Sequence, residues 1–322
     1  HTRFDCDWSS DVCSSDLLCY QNRFGEVDVP VLHISGWYDD EQVGTPLNFM
    51  GMVREGRSPA TRAAQKLLMG PWPHQVNRDT RLGAVDFGQE AMIDLRGYEL
   101  RWFDHWLKGI DTGIMNEPPV RIFVMGANHW RDECEWPLAR TFFTRFYLHS
   151  GGRANSRFGD GWLSLEPPGE EPPDRYDYDP ANPVPFITEP TSNQIGGPDD
   201  YAAVERRDDV LVYTTPSLEE DVEVTGPVTV KLYASSSALD TDFTAKLLDV
   251  WPSGFAQRLG DGIVRARYRE GMDRQVLLKP GKIYEFKIDL WNTSQVFRKG
   301  HRIRLEISSS AFPKYDRNLN TG

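Results

Sequence analysis

The sequence predicts two domains in series: parallel-sheet α/β structure over residues 18–112, then an all-β jelly-roll or antiparallel sandwich over residues 113–322. Three observations predict this. Short, nearly all-apolar runs alternate with helix-like segments between Val27 and Leu107, the order expected of buried parallel strands with helices packed on them. Beyond Val120, two-residue alternation of apolar and polar side chains takes over with no helix between, which reads as antiparallel strands with one buried face. Roughly 300 residues are ample for two cores.

The first seventeen residues stand apart. The chain opens HTRFDCDWSSDVCSSDLL without a starting Met, and no apolar run marks a signal peptide. Asp7–Leu17 matches one reading frame of a common sequencing-library adapter. We expect about residues 1–17 to be an assembly artefact and leave them out of the fold. Of the four cysteines, Cys6 and Cys13 fall in that segment, which leaves Cys19 and Cys134. Two distant cysteines supply neither a disulfide framework nor a zinc site. They suit a reducing compartment and slightly favour the cytoplasm.

Composition excludes several classes of function. The net charge is −12, and −9 once Asp7, Asp11 and Asp16 are set aside; an acidic chain is a poor match for nucleic acid. No run of 18 apolar residues suggests a membrane helix. Ten tryptophans and a 12% aromatic share argue against disorder.

The elements follow in order. Val31–Ile34 is a buried strand, Gly44–Glu55 a helix and Lys66–Met69 the next strand. Gln89–Lys108 is the strongest helix, because Met92, Leu95, Tyr98, Trp102 and Trp106 recur at three- and four-residue spacing and make one apolar face. Gly109 then suits a left-handed C-terminal cap. The pattern changes near Gly113–Pro119. Afterwards Val228–Ala234, Tyr284–Leu290 and Ile303–Ile307 alternate strictly, so each should wet one face. The proline-rich Ser150–Asp200 reads as long connections crossing the sandwich.

Both early strands end in tight turns that deliver one polar group each. VPVLHISGWYDDE places Asp39 after the first, and KLLMGPWPH places His74 after the second. An acid at one strand end and a histidine at the next is how an α/β-hydrolase holds the back half of a Ser-His-Asp triad. Asp39 would accept the Nδ1–H of His74, fixing its tautomer, and His74 would shuttle the nucleophile's proton. No G-x-S-x-G or G-x-S-x-x-G elbow occurs in the 322 residues. His33, His105, His129 and His301 lack a partner acid in comparable turn context and read as structural. The histidine spacing matches no metal motif, and no phosphate loop or dinucleotide fingerprint is present. Asp240–Thr244 does not fit a calcium loop and reads instead as the start of a strand at Phe243. Trp130, Trp136 and Trp162 fill a core or line the domain interface.

From Val29 to the end the chain resembles the cocaine esterase-like hydrolases, a branch of the X-Pro dipeptidyl-peptidase superfamily. The landmarks are PVLHISGWYD, MGPWPH, VRIFVMGANHWRDE, DPANPVP, DDVLVYTT, SSSALDTDFTAKLLDV, GIVRARYRE, SQVFRKGHRIRLEISSS and FPKYDRNLNTG, in that order. The resemblance implies the C-terminal part of an α/β-hydrolase domain followed by a jelly roll, and cleavage of esters or amides (acyl or dipeptidyl type) through an acyl-enzyme. It implies Asp39 as triad acid and His74 as base. The family's nucleophile, cap and oxyanion tyrosine lie upstream of any residue here, so the chain is expected to be an inactive fragment, with its final strands incomplete. No cofactor is needed; the implied partner is a small-molecule ester or amide, with neither nucleic acid nor membrane. In the related α-amino acid ester hydrolases, carboxylates two and three residues past the triad acid bind the substrate ammonium. Glu41 matches the first position and Gln42 departs from the second; otherwise Asp40 and Glu41 cap the next helix. The competing expectation is a non-catalytic binding protein that uses its β-sandwich.

Overall fold

The computed structural model describes residue 21, residues 23–188 and residues 196–322. The adapter-like segment, Cys6, Cys13 and Cys19 lie outside the described residues. The chain forms two compact units, one from the residues up to Leu82 with Asp86–Thr141, the other from Phe142–Gly322 with Gly83–Val85. Among the described residues no helix is long and apolar enough to cross a membrane.

In the first unit, Val31–Gly36 (β1) leads into helix Gly44–Glu55 (α1), a short helix Pro59–Ala63 (α2), and strand Gln65–Gly70 (β2). Ser58 caps α2 by accepting from the Thr61 backbone N–H, with Pro59 at its first position, where a missing N–H costs nothing. Strands β1 and β2 pair in parallel with Gly36 opposite Gly70. Two short strands, Arg81–Leu82 (β3) and Val85–Asp86 (β4), follow.

The expected long helix is shorter at its start: it spans Leu95–Lys108 (α3), and Gln89–Ala91 is a separate 3₁₀ turn. The Asp94 side chain caps α3 by accepting from Gly97 N–H. The Asn77 side chain accepts from Ile93 N–H and donates to Ile93 C=O, which removes both groups from any helical ladder. Gly109 ends α3 in the left-handed region at φ 68°. Of the apolar face read from the sequence, only Trp102 is fully buried; Trp106 is exposed, as are Leu100, Phe103 and Leu107 beside it.

Strand Val120–Val124 (β5) joins β2 in parallel, and His129–Glu133 (β6) pairs with β5 antiparallel, giving the order β1-β2-β5-β6. The sheet of the first unit therefore continues beyond the change of pattern at Gly113–Pro119. Both Trp130 and Trp136 pack within this unit: buried Trp136 on Trp37, and half-buried Trp130 on Trp72 and Phe123. Cys134 is an exposed free thiol.

The second unit is β-rich. Its strands are Tyr147–His149 (β7), Trp162–Ser164 (β8), Leu211–Thr214 (β9), Val222–Ala234 (β10), Asp242–Val250 (β11), Ala256–Arg265 (β12), Tyr284–Phe297 (β13) and Arg302–Ser308 (β14). Six of them form a sheet in the order β12-β11-β14-β9-β8-β7, and β10 pairs with β13 as a long antiparallel ribbon. The pairing of β8 with β9 is parallel. Phe286, Ile288 and Leu290 of the ribbon share a core with Phe243, Leu247, Ile303, Leu305 and Ile307 of the sheet. This is the alternating apolar set read from the sequence. Asp240 and Asp242 are bound by Arg267, Arg265 and Asn318, so side chains of this unit answer their charge.

One expectation is corrected. The polar face of β14 is not wet: Arg304 and Glu306 are buried. Residues from the long connections lie over it, and Val184, Phe186, Tyr201, Val204 and Val210 form a second core with Leu248 and Val250. Beneath them, Arg304 pairs with Glu205, and Arg258 and Lys314 with Asp261. Lys246 stands opposite Glu306 in the ladder at 3.7 Å. Neither Glu306 carboxylate oxygen has a hydrogen-bond donor among the described residues. Burial raises Glu306 from the usual 4.5 to about 7, against the pull of Lys246.

The native carboxyl thus holds its proton more tightly than the unfolded chain does. Its contribution to stability is complete below about pH 4.5 and is lost as pH rises through about 7. Glu306→Gln should therefore gain on the wild type between pH 5 and pH 8, by up to about 3 kcal/mol. Thermal unfolding of both proteins at the two pH values checks this; an equal Tm difference at both would show that Glu306 does not titrate in that range.

Candidate active site

The first unit brings Asp39 and His74 together. Parallel pairing with Gly36 opposite Gly70 puts the ends of β1 and β2 at the same edge of the sheet, where α/β sheets carry their sites. The two turns beyond them are tied by backbone bonds: Trp37 N–H donates to Gly70 C=O at 2.9 Å, and Tyr38 N–H to Trp72 C=O at 3.1 Å. Gly36 is required by this close approach, since a Cβ there would stand 1.9 Å from the Trp72 carbonyl oxygen. Each turn is pinned by an indole. Trp37 Nε1–H donates to Phe123 C=O at 2.7 Å, and Trp72 Nε1–H to Ala91 C=O at 2.8 Å.

Asp39 is buried, and three donors hold its carboxylate. Ser35 Oγ–H donates to Oδ2 at 2.9 Å, Glu41 N–H donates to Oδ1 at 3.0 Å, and His74 Nδ1 donates to Oδ1 at 3.2 Å. The His74 side chain is 52% exposed, so its ring presents a free edge to solvent while the other edge is held. The Asp39 carboxylate hydrogen-bonded to the ring holds His74 above the ordinary histidine pKa, and the charges of Glu41 and Asp40 add to this. With Nδ1–H committed to Asp39, Nε2 is left as the acceptor, which is the tautomer a general base needs.

The remaining predicted residues sit as follows. Glu41 is exposed, two residues past Asp39, and its backbone N–H supports Asp39. Gln42 is buried. His33 is buried and donates to Gln65 Oε1 at 3.1 Å, with burial lowering its pKa. His105 stands edge-on to Trp106, and His129 is exposed. His301 is a correction: it does have a partner acid, donating Nδ1–H to buried Asp249 at 2.8 Å. Burial raises Asp249 to about 6. His149, which the sequence did not single out, pairs with Glu171 at 2.7 Å and stacks on Trp162. The sequence reading also missed Ser35. Its only local signal is a hydroxyl four residues before the acid, which becomes meaningful once the turn folds Ser35 back onto Asp39.

Comparison with known proteins agrees with this architecture. The family model for the X-Pro dipeptidyl-peptidase C-terminal non-catalytic domain matches residues 112–322. Cocaine esterase of Rhodococcus sp. (strain MB1 Bresler) is 46% identical over 305 residues, covering 93% of this chain and 52% of that protein. An aminopeptidase from a marine sediment archaeon, Thaumarchaeota archaeon, superposes with a TM-score of 0.80 at 30% identity, over 94% of this chain and 51% of its own. An α-amino acid ester hydrolase superposes with a TM-score of 0.78 at 30% identity, over 94% of this chain and 52% of its own. The chain thus spans about half the length of the relatives it matches. From the match over residues 112–322 and the 46% identity over nearly all of its length, the chain belongs to the cocaine esterase-like hydrolases of the X-Pro dipeptidyl-peptidase superfamily.

Proposed function

We propose that this chain supplies the acid and base of a serine hydrolase that cleaves ester or amide bonds of small molecules through an acyl-enzyme. The observation that carries the proposal is the buried Asp39 carboxylate accepting from His74 Nδ1 at 3.2 Å, beyond the ends of two parallel strands. His74 Nε2 takes the proton of an attacking serine and returns it to the leaving group. Asp39 holds the ring and stabilises the imidazolium formed in between. The β-rich unit, to which we assign a jelly-roll arrangement, is the non-catalytic partner of this machinery.

The serine is supplied by sequence outside these 322 residues, which contain no G-x-S-x-G or G-x-S-x-x-G. The 322-residue chain alone should neither hydrolyse esters nor react with a fluorophosphonate probe; stoichiometric labelling would overturn this. The coding sequence upstream of Val27, read with independent library chemistry, should contain the elbow and lack Asp7–Leu17. The protein so encoded should turn over p-nitrophenyl esters or aminoacyl anilides. A folded protein that carries the serine and turns over neither would sink the hydrolase reading.

Glu41 extends the proposal to the substrate. An exposed carboxylate two residues past Asp39 can attract a substrate ammonium, and one of the two similar structures at 30% identity is an α-amino acid ester hydrolase. Gln42 beside it is neutral, so the attraction is weaker than that of a carboxylate pair. Free amino acid esters should react faster than their N-acylated counterparts, and equal rates would remove Glu41 from this role.

A further inference from the structure

We propose that His149 is a doubly donating imidazolium that latches residues 166–174 onto the edge of the β-rich sheet. The latch opens as pH rises. Strand β7 is the outermost strand of the six-stranded sheet, and His149 is its last residue. The connection beside it holds Pro167, Pro168, Pro172 and Pro173 among its nine residues. Proline has no backbone N–H, so this connection offers few donors of its own to the strand. Side chains hold it instead.

The His149 ring is buried, and both of its nitrogens meet acceptors. Nδ1 lies 2.7 Å from Glu171 Oε1, and Nε2 lies 2.9 Å from the Glu166 carbonyl oxygen. A carbonyl has no hydrogen to give. Glu171 has none either: the His149 hydrogen bond holds it below the usual carboxylate range, and its other oxygen accepts from Ser150 N–H at 3.1 Å. Both ring nitrogens therefore carry hydrogen, which only the imidazolium provides. The ring also stacks on Trp162 of β8, with centroids 5.0 Å and planes 10° apart, and an indole face favours a cation. The groups that meet the ring are thus the Glu171 carboxylate and Glu166 carbonyl from the connection and the uncharged indole from β8. Asp174, at the far end of the connection, is taken up by Ser150 Oγ–H, Ala154 N–H and Tyr213 Oη–H.

Loss of one proton from His149 sets a bare nitrogen against one of these two acceptors in a buried position. A donor is lost and an acceptor is left unpaired, and the connection has little backbone N–H to replace it. Ser150 N–H, which shares Glu171, is released with it. The opening is local, because Asp174 keeps the far end fixed.

The test is NMR of the 322-residue chain. At pH 6 the ring should show two N–H signals, visible because both hydrogens are bonded and shielded from water; His149→Gln assigns them by their loss. Between pH 6 and pH 9 the Ser150 amide should exchange at least about tenfold faster after correction for the intrinsic rate. The amides of Phe286 and Ile288, in the core of the unit, report global opening and should accelerate less. In His149→Gln nothing titrates, and in Glu171→Gln the new side-chain N–H can donate to a bare Nδ1, so the excess at Ser150 should disappear in both. Far-UV circular dichroism of each variant must match the parent. A single ring N–H signal at pH 6, or the same acceleration at Ser150 in the wild type and His149→Gln, would overturn the latch. So would equal acceleration at Ser150, Phe286 and Ile288, which would assign the effect to global unfolding.

Discussion

Asp39→Asn, made in a protein that includes the serine-bearing segment, is expected to lower kcat by about 10⁴-fold with little change in KM. The size follows from the tautomer. Asp39 accepts from His74 Nδ1, which leaves Nε2 free to take a proton. An asparagine can present its own N–H to Nδ1 and so favour the other tautomer, in which Nε2 already carries hydrogen and cannot act as base. The position of the side chain should survive, because Ser35 Oγ–H binds its other oxygen independently of the histidine. Steady-state kinetics on a p-nitrophenyl ester, with Tm measured in parallel, checks this. A loss under about tenfold with the fold intact would mean that His74 does not depend on Asp39 for its tautomer.

Asp261→Ala is expected to destabilise the β-rich unit by about 3–5 kcal/mol. The Asp261 carboxylate is buried and accepts from Arg258 Nη1 at 2.6 Å, from Lys314 Nζ at 2.9 Å and from Tyr315 Oη at 3.0 Å. Burial would raise its pKa, but Lys314 and Arg258 outweigh burial and hold it well below the usual carboxylate range. Removing the carboxylate leaves two cations in the interior with their main counter-charge gone. Urea unfolding should show a lower midpoint at unchanged slope. The pH dependence has a definite sign. A depressed carboxylate contributes stability above its unfolded pKa of about 3.9 and loses it as pH falls through the native value. The gap between wild type and Asp261→Asn should therefore be full at neutral pH and narrow below about pH 4. A gap that stays constant on acidification would show that the effect is packing and not charge.

The features legible in the sequence are those set by neighbours along the chain. Helix Gly44–Glu55 and the left-handed cap at Gly109 stand where their residues predicted them. The two turns that carry Asp39 and His74 were legible because Gly-Trp and Gly-Pro-Trp punctuate short apolar runs. The start of α3 was not. The apolar spacing runs on through Met92, but Asn77 takes both backbone groups of Ile93 from a loop sixteen residues away. Periodicity does not register such a tether.

The pairs missed in the sequence are separated along it. Asp249 and His301 are 52 residues apart, and His149 and Glu171 are 22 apart. Nothing local announces either contact, since each depends on strands or connections brought side by side by the sheet. The same holds for the dry polar face of β14, where alternation correctly named Ile303, Leu305 and Ile307 as core. It could not show that Tyr201, Val204 and Val210 would cover the opposite face.

By itself, the sequence determined the order of the α/β and β-rich parts, the apolar rows of β13 and β14, and that one acid and one histidine stand at the ends of adjacent strands. Those properties follow from side-chain alternation and turn chemistry, which act over a few residues. The tertiary structure alone decided that Ser35 and Glu41 N–H orient Asp39, and that a network of buried charges lies under the long connections. It also decided that Asp40 shares one small volume with Asp39 and His74. Hydrogen bonds and Coulomb forces act over a few ångströms in space, and only the folded chain sets which groups come that near.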